Sequence, residues 1–306
     1  MRKSRGNFKA VSFMSAHNPH LFVFGPGYSA SPIMARAMKN GWKVSASHRD
    51  ASKADALQSM GVTPVPLEPT ALQPALKTST HILTSVAPGP GGDPILPLIT
   101  TLADTLDSLR WVGYLSSTNV YGNHDGGWVD EDTPAAPSLD RGKRRIDAEL
   151  SWNDFSNKSK SALHIFRLAG IYGPGRNAVR TVLDGRAKRI FKEGQLFSRI
   201  HLADIEESVW RAMNSSLPSR IFNLADDAPA PPQDIIEKAA LAVGKPVPPL
   251  IPFEDADLSP MARSFYEESK RVRNDRVKTD LSFKLKYPSF DSALDDLIAF
   301  ETGSKT

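Results

Sequence analysis

The sequence predicts an α/β protein, a parallel β-sheet whose strands are joined by crossover helices, with a smaller lobe at the C-terminal end. Three observations carry that prediction. Apolar runs alternate with amphipathic stretches through the first two-thirds of the 306-residue chain, the pattern of strands and crossover helices. The first apolar run leads directly into Gly25-Pro-Gly27-Tyr-Ser-Ala30, a G-x-G-x-x-A turn, and then into residues at helical spacing. From about Ala228 the texture changes: Pro229, Pro231, Pro232, Pro246, Pro248, Pro249 and Pro252 crowd a short interval, which suggests helices linked by stiff turns.

Taken in order, Leu21 to Phe24 reads as a short buried strand. Ile33, Met34, Ala37 and Met38 then recur at helical spacing, and Gly41 stands where a helix C-cap glycine belongs. Further strands are expected at Trp42 to Ala46, Val62 to Val65, His81 to Val86, Trp111 to Ser116, Leu163 to Leu168 and Ile221 to Leu224. Helices fill most gaps, for example Ile95 to Leu109 and Arg145 to Trp152. There is no internal repeat, low-complexity tract or heptad series. Residues 1–20 begin basic but lack a sustained apolar core before a small-residue cleavage site, so they read as a loose extension rather than a signal peptide, with Met14 an alternative start.

Composition narrows the function classes. The formal charge of +4, from 38 basic and 34 acidic side chains, is too mild to argue for nucleic acid. The chain has no cysteine, which excludes disulfides, thiolate nucleophiles and Cys-ligated metal sites. No apolar run approaches the ~20 residues a membrane span needs. The seven histidines show no metal-ligand spacing, so no metal is expected. A cytoplasmic protein with a small-molecule partner fits these bounds.

The glycine turn supplies the cofactor hypothesis. Gly25 permits a tight exit from the strand, Gly27 lets backbone approach a pyrophosphate, and Ala30 lets the helix pack close to the sheet. Tyr28 and Ser29 lie inside the turn, and Ala87 and Pro88 follow the strand at His81 to Val86; all four join the cofactor-binding candidates. NAD-specific sites usually place an acidic residue ~20 positions past the turn. Here the second strand ends Ser45-Ala-Ser47-His48-Arg49, with no acidic residue between Gly27 and Asp50. Arg49, helped by Ser47 and His48, would pair with a 2′-phosphate, so NADP(H) is expected over NAD(H). The alternative is that Arg49 is solvated and Asp50 holds the ribose of NAD(H).

Four further segments carry a family resemblance. Tyr114-Leu-Ser-Ser-Thr-Asn-Val-Tyr-Gly122 resembles the "SSxxVYG" segment of extended short-chain dehydrogenases and nucleotide-sugar epimerases. Arg167-Leu-Ala-Gly-Ile-Tyr-Gly-Pro-Gly-Arg176, Arg199-Ile-His-Leu-Ala-Asp204 and Phe222-Asn-Leu-Ala225 resemble their later segments in the same order. Ser269-Lys-Arg-Val-Arg-Asn274 with Tyr287-Pro-Ser-Phe290 resembles an atypical branch, the NAD-dependent epimerase/dehydratase-like proteins of mostly unassigned activity. The resemblance implies a Rossmann-type, doubly wound parallel sheet with helices on both faces. The dinucleotide domain would comprise residues 21–172 and about 200–225, and a small substrate lobe about 173–199 and 226–306. It also implies that Ser117 bonds a substrate carbonyl or alcohol beside the nicotinamide; otherwise Ser117 is a buried strand-end serine. Relatives often pair through the helices after the fourth and fifth strands, so a homodimer is expected.

Active members of that family carry a Tyr-x-x-x-Lys pair on the next helix. The same register here reads Arg141-Gly-Lys-Arg-Arg145. A guanidinium keeps its protons at ordinary pH and cannot relay one. Arg145 can still take the lysine's place at the nicotinamide ribose, and Arg141 can clamp a carboxylate or phosphate or stabilise an oxyanion. Tyr121, His124 and His201 are then the candidate proton donors; the alternatives are that Tyr121 is a packing residue with a tethered hydroxyl and that each histidine has a satisfied structural role. The plain alternative is a solvated helix face at Lys143 to Arg145. Asp130, Glu131 and Asp132 read as a solvated loop, Asp204 as the cap of a helix beginning near Ile205, and Lys270 to Lys278 as a charge-laced helix. The function expected is an NADP(H)-dependent oxidoreductase or epimerase-like enzyme on a small polar or anionic carbonyl or alcohol. The alternative is a catalytically silent, dinucleotide-binding redox sensor or interaction module.

Overall fold

The computed structural model describes residues 19–303, so most of the expected N-terminal extension lies outside the described residues. In chain order the strands are β1 (His20–Phe24), β2 (Lys43–His48), β3 (Thr63–Pro66), β4 (His81–Thr84), β5 (Trp111–Ser117), β6 (Trp128–Val129), β7 (Ala162–Leu168), β8 (Gly170–Tyr172), β9 (Arg189–Phe191), β10 (Arg199–His201), β11 (Arg220–Leu224), β12 (Leu250–Pro252) and β13 (Arg271–Val272). The helices are α1 (Ser31–Lys39), α2 (Ala51–Ser59), α3 (Pro69–Lys77), α4 (Leu96–Ile99), α5 (Asp140–Ser159), α6 (Ala178–Leu183), α7 (Leu202–Met213), α8 (Pro232–Ala242), α9 (Pro260–Ser264), α10 (Asp275–Asp280) and α11 (Phe290–Thr302).

Seven strands form one parallel sheet in the order β11-β7-β5-β4-β1-β2-β3. The order reverses between β1 and β4, and that switch point opens a crevice beyond the carboxyl ends of the strands. Side chains alternate across β1. Leu21 and Val23 pack with Ile33 and Met34 of α1 and Ile205 and Val209 of α7. Phe22 and Phe24 pack on the opposite face with Leu72 of α3 and Trp152 and Phe155 of α5. Helices therefore cover both faces, as a sheet with two apolar sides requires.

Local signals account for most boundaries. The amide of Gly41 (φ +78°) donates to the Met38 carbonyl and that of Trp42 to the Ala37 carbonyl, a Schellman closure of α1. The expected helix from Ile95 to Leu109 shrinks to α4 and a 3₁₀ segment, Thr100–Thr105. Its sequence is rich in threonine and aspartate, which favour competing local bonds over regular helix.

A third core joins α6, α8 and α11 through Val179, Ile235, Ala239, Phe290 and Leu297. It lies within the segments expected to make the small lobe. The stretch from Arg271 to Phe283 departs from that lobe: β13 pairs with β6, and Val272, Val277, Leu281 and Phe283 join the main core. Only Asp275–Asp280 of the basic run is helical, so the charge-laced helix expected across Lys270 to Lys278 is corrected. Asp204 does not cap α7 either. His201 does, its Nδ1 accepting from the Ala203 amide, while Asp204 is fully buried and accepts from the amides of Lys286 and Tyr287. Glu131, expected in a solvated loop, accepts from the Asn223 amide at 2.7 Å.

One ionic network fixes α5 against the sheet. Glu149 of α5 accepts from the Ser116 hydroxyl (2.6 Å) and from Arg167 Nη2 (2.7 Å) and Nε (3.2 Å), all within the interior. The Arg167 guanidinium lies over the Tyr121 ring at 4.9 Å. Removing one partner leaves a buried, uncompensated charge, so Glu149→Ala is expected to lose roughly 3–5 kcal/mol of stability in urea unfolding.

Asp226, two residues past β11, is 2% exposed, and its Oδ2 has no hydrogen-bond partner among the described residues. Burial pushes its carboxyl from 3.8 up to about 7, against smaller opposing effects of the Ala228 amide and Arg199. Between these values the folded chain holds a proton that the unfolded chain has lost, so this contribution is full below about pH 4 and fades as pH rises through 7. Asp226→Asn, which stays neutral, is expected to flatten that slope in melts from pH 5 to 8, an effect on the order of 4 kcal/mol at most.

Candidate functional site

The glycine turn is built as a cradle. Gly25 adopts φ +74°, and a Cβ there would come within 2.9 Å of Ser85 Oγ and Val86 Cγ2 beyond β4. The amides of Ala30 and Ser31 turn back onto the Gly27 carbonyl, at 3.1 and 2.9 Å. Those of Tyr28 and Ser29 have no acceptor among the described residues. A Cβ on Gly27 would meet only the Gly25 carbonyl, at 4.0 Å, so the space above it is open. Free amides, an open face and a helix start without acidic residues fit a pyrophosphate. Ala30 is fully buried in the α1-side core.

Arg49 follows β2 and is exposed, with no ion-pair partner among the described residues. Ser47 is buried, and His48 Nδ1 lies 3.2 Å from the Asp50 carbonyl. Asp50 is the N-cap residue of α2 but makes no side-chain cap.

A cleft of about 910 Å³ opens over the ends of β4, β5 and β7, with Leu196, Phe197, Met261, Phe265, Glu268 and Lys270 also among its lining residues. Gly27, Tyr28, Ser29, Ala87, Pro88, Ser117, Arg141 and Arg145 all line it. Gly25, Ala30, Ser47, His48, Arg49 and Tyr121 do not. Ser117 ends β5 and its Oγ accepts from the Asn119 amide at 3.3 Å. Gly142 holds α5 to that turn: a Cβ on it would approach the Asn119 carbonyl to 2.7 Å and Pro137 Cβ to 2.6 Å. The first turn of α5 therefore faces Ser117.

The arginines of that turn do different things. Arg145 Nη1 donates to the Leu115 carbonyl at 2.9 Å and to Tyr114 Oη at 3.3 Å. Arg141 donates to Ser264 Oγ (2.7 Å) and the Ser264 carbonyl (3.2 Å), and it lies over the Phe265 ring at 4.4 Å. Buried Nε atoms of both Arg141 and Arg144 have no partner. Arg144 lines the cleft, so the helix face is not simply solvated.

Tyr121 is corrected as a proton donor. It is fully buried, its hydroxyl donates to Asn223 Oδ1 at 2.7 Å, and burial raises its pKa. His124 lies 3.1 Å from the Tyr121 carbonyl, and His201, pushed down to about 4 chiefly by burial, caps α7. Neither lines the cleft.

Other functional candidates escaped the sequence reading. Arg176 and Arg199 line the cleft and sit inside the quoted segments, where their charge was the available signal. Glu268 and Lys270 also line it as a buried pair, with Nζ 2.8 Å from Oε2. Nothing in the sequence links them to Ser117, about 150 positions earlier. Among the described residues no group of three or more His, Asp or Glu could hold a metal ion, and no helix is long and apolar enough to cross a membrane.

No protein-family model matches the chain. Protein YeeZ of Escherichia coli K12 is 27% identical over 223 residues, covering 69% of this chain and 78% of that protein. A functionally unknown conserved protein from Silicibacter pomeroyi is 43% identical across 94% of this chain and all of its own, with a TM-score of 0.86. More distant solved structures share the fold. They include the NAD complex of dTDP-glucose 4,6-dehydratase from Bacillus anthracis (14% identity, 94% of this chain and 98% of that one, TM-score 0.74). UDP-glucuronic acid 4-epimerase from Bacillus cereus, with UDP-glucuronic acid and NAD, matches at 17% identity over 94% of this chain and all of its own (TM-score 0.71). The chain thus belongs to one family with the Silicibacter pomeroyi protein, and it shares its Rossmann-type fold with the NAD-bound dehydratase and epimerase structures.

Proposed function

We propose that the chain binds NADP(H) at the switch-point crevice and acts as an oxidoreductase or epimerase-like enzyme on a small anionic carbonyl or alcohol. The observation that carries this reading is a single cleft lined by Tyr28 and Ser29 of the glycine turn, by Ser117, and by Arg141 and Arg144, whose buried Nε atoms have no hydrogen-bond partner among the described residues. A dinucleotide fits the first group, and bacterial structures that share the fold are complexes with NAD. When bound, its nicotinamide supplies or accepts the hydride. A buried guanidinium nitrogen without an acceptor calls for an anion, since leaving a charged donor unsatisfied costs more than an ordinary missing bond.

The chain's own residues then divide the work. Ser117 donates its hydroxyl hydrogen to the reacting oxygen, while its own acceptor capacity is engaged by Asn119. Arg145, braced by the Leu115 carbonyl, directs its remaining donors to the ribose. Arg144 takes a carboxylate or phosphate of the substrate. Preference for the phosphorylated dinucleotide rests on Arg49, which is exposed and unpaired, with no carboxylate earlier on β2 to repel a 2′-phosphate.

A second reading, a silent redox sensor, is favoured by one observation. Arg141, which by the resemblance replaces the tyrosine of active members, is occupied with Ser264 and Phe265. A screen of aldehydes and ketones bearing a carboxylate or phosphate, followed by NADPH absorbance, separates the two. Turnover is expected, with Ser117→Ala lowering kcat roughly 100-fold and Arg144→Ala raising KM about tenfold or more at unchanged NADPH affinity. Tight NADPH binding with no turnover on any of the panel would favour the sensor. In fluorescence titrations NADPH is expected to bind at least about tenfold more tightly than NADH, and Arg49→Ala to erase the difference.

A further inference from the structure

A substrate oxygen that gains charge in this cleft needs a proton, and Arg141 has none to release. Tyr121 is sealed in the core. Among the residues lining the cleft, Lys270 carries a proton it can release and is held in place by two hydrogen bonds. Its ammonium has three N–H donors. One goes to the Gly122 carbonyl at 2.7 Å, at the end of the turn that begins with Ser117, and one to Glu268 Oε2 at 2.8 Å. Glu268 is fixed in turn by the Ser138 hydroxyl, at 2.6 Å, just ahead of α5. The pair therefore bridges the Ser117 turn and the start of the helix that carries Arg141. The third donor has no partner among the described residues, and Lys270 lines the cleft.

We propose that Lys270, positioned by Glu268 and the Gly122 carbonyl, is the proton donor to the substrate oxygen in this cleft. This rests on the enzyme reading given above. One Nζ–H bond breaks and one O–H bond forms; the N–H electron pair stays on nitrogen, so the ammonium becomes a neutral amine and the alkoxide an alcohol. Solvent returns a proton to the amine. The surroundings suit the task. Burial pushes the Lys270 ammonium below the ordinary lysine range, Glu268 partly restores it, and Arg141 lowers it again. Arg144 and Arg145 add further positive charge to the same cleft. A lysine with a depressed pKa is a workable acid near neutral pH.

The test combines a direct titration with turnover, using the full chain. Lysine-labelled protein is titrated by NMR, with the Lys270 signal assigned by its loss in Lys270→Arg. Lys270 is expected to titrate below the exposed lysines, and Arg141→Gln is expected to raise its midpoint. Titration together with the exposed lysines overturns the proposal. With the carbonyl substrate found in the NADPH screen, Lys270→Met and Lys270→Arg are both expected to lose roughly 100-fold in kcat while NADPH affinity stays within about twofold. Lys270→Arg keeps the charge, so it serves if Lys270→Met fails to fold. Turnover that survives Lys270→Arg overturns the lysine alone. A wild-type chain that binds NADPH but is inert to the whole panel overturns the enzyme reading, and the proton transfer with it.

Discussion

The contact between Glu149 and Arg167 is the constraint on which the site depends. Both groups are charged and buried, and each is satisfied by the other; the Ser116 hydroxyl adds a third partner. Such a pair gains little over a well-packed apolar substitute, but it tolerates only one geometry. That geometry links three elements: the end of β5, the middle of α5 and the end of β7. Ser116 precedes Ser117, and Glu149 lies about two turns beyond Arg141 and one beyond Arg145. The pair therefore sets where the arginines of α5 stand relative to the serine of β5.

From Arg167 the network continues. Its guanidinium covers the Tyr121 ring, the Tyr121 hydroxyl meets Asn223, and the Asn223 amide meets Glu131. The tyrosine of the "VYG" segment is thus a structural member of this chain of contacts and tethers the turn after Ser117 to β11. Gly122, immediately beyond, has φ +74°, and a Cβ there would lie 2.1 Å from the Ala136 carbonyl. A rigid turn with no room for a side chain at its end holds the cleft's floor in place.

The fold was legible in the sequence because its signals are local. Each strand of the main sheet appeared as an apolar run within two residues of its observed limits, and Gly41 marked the end of α1. The cradle was legible too, since its shape comes from glycines adjacent in sequence. The later part of the site was not. Glu268 and Lys270 reach the cleft because β13 pairs with β6 and carries its flanking residues back across the main domain. A run of alternating charges gives no sign of that return. Asp204 and Glu131 were misread for a similar reason: their partners, Lys286, Tyr287 and Asn223, lie some 80 to 90 positions away in sequence. Charged residues look solvated until the backbone amides that surround them are known.

The attachment of Arg141 to α9 has a mechanical corollary. The short α9, with the exposed faces of Met261 and Phe265, borders the cleft and is joined to α5 through the guanidinium's terminal nitrogens and the Phe265 ring. Nη1 is engaged by Ser264 Oγ and the Met261 sulfur, whereas Nη2 keeps a second N–H and Nε has no partner among the described residues. A guest bonded by those spare donors would share one guanidinium with α9, so the interior of the cleft and its rim are coupled through a single side chain.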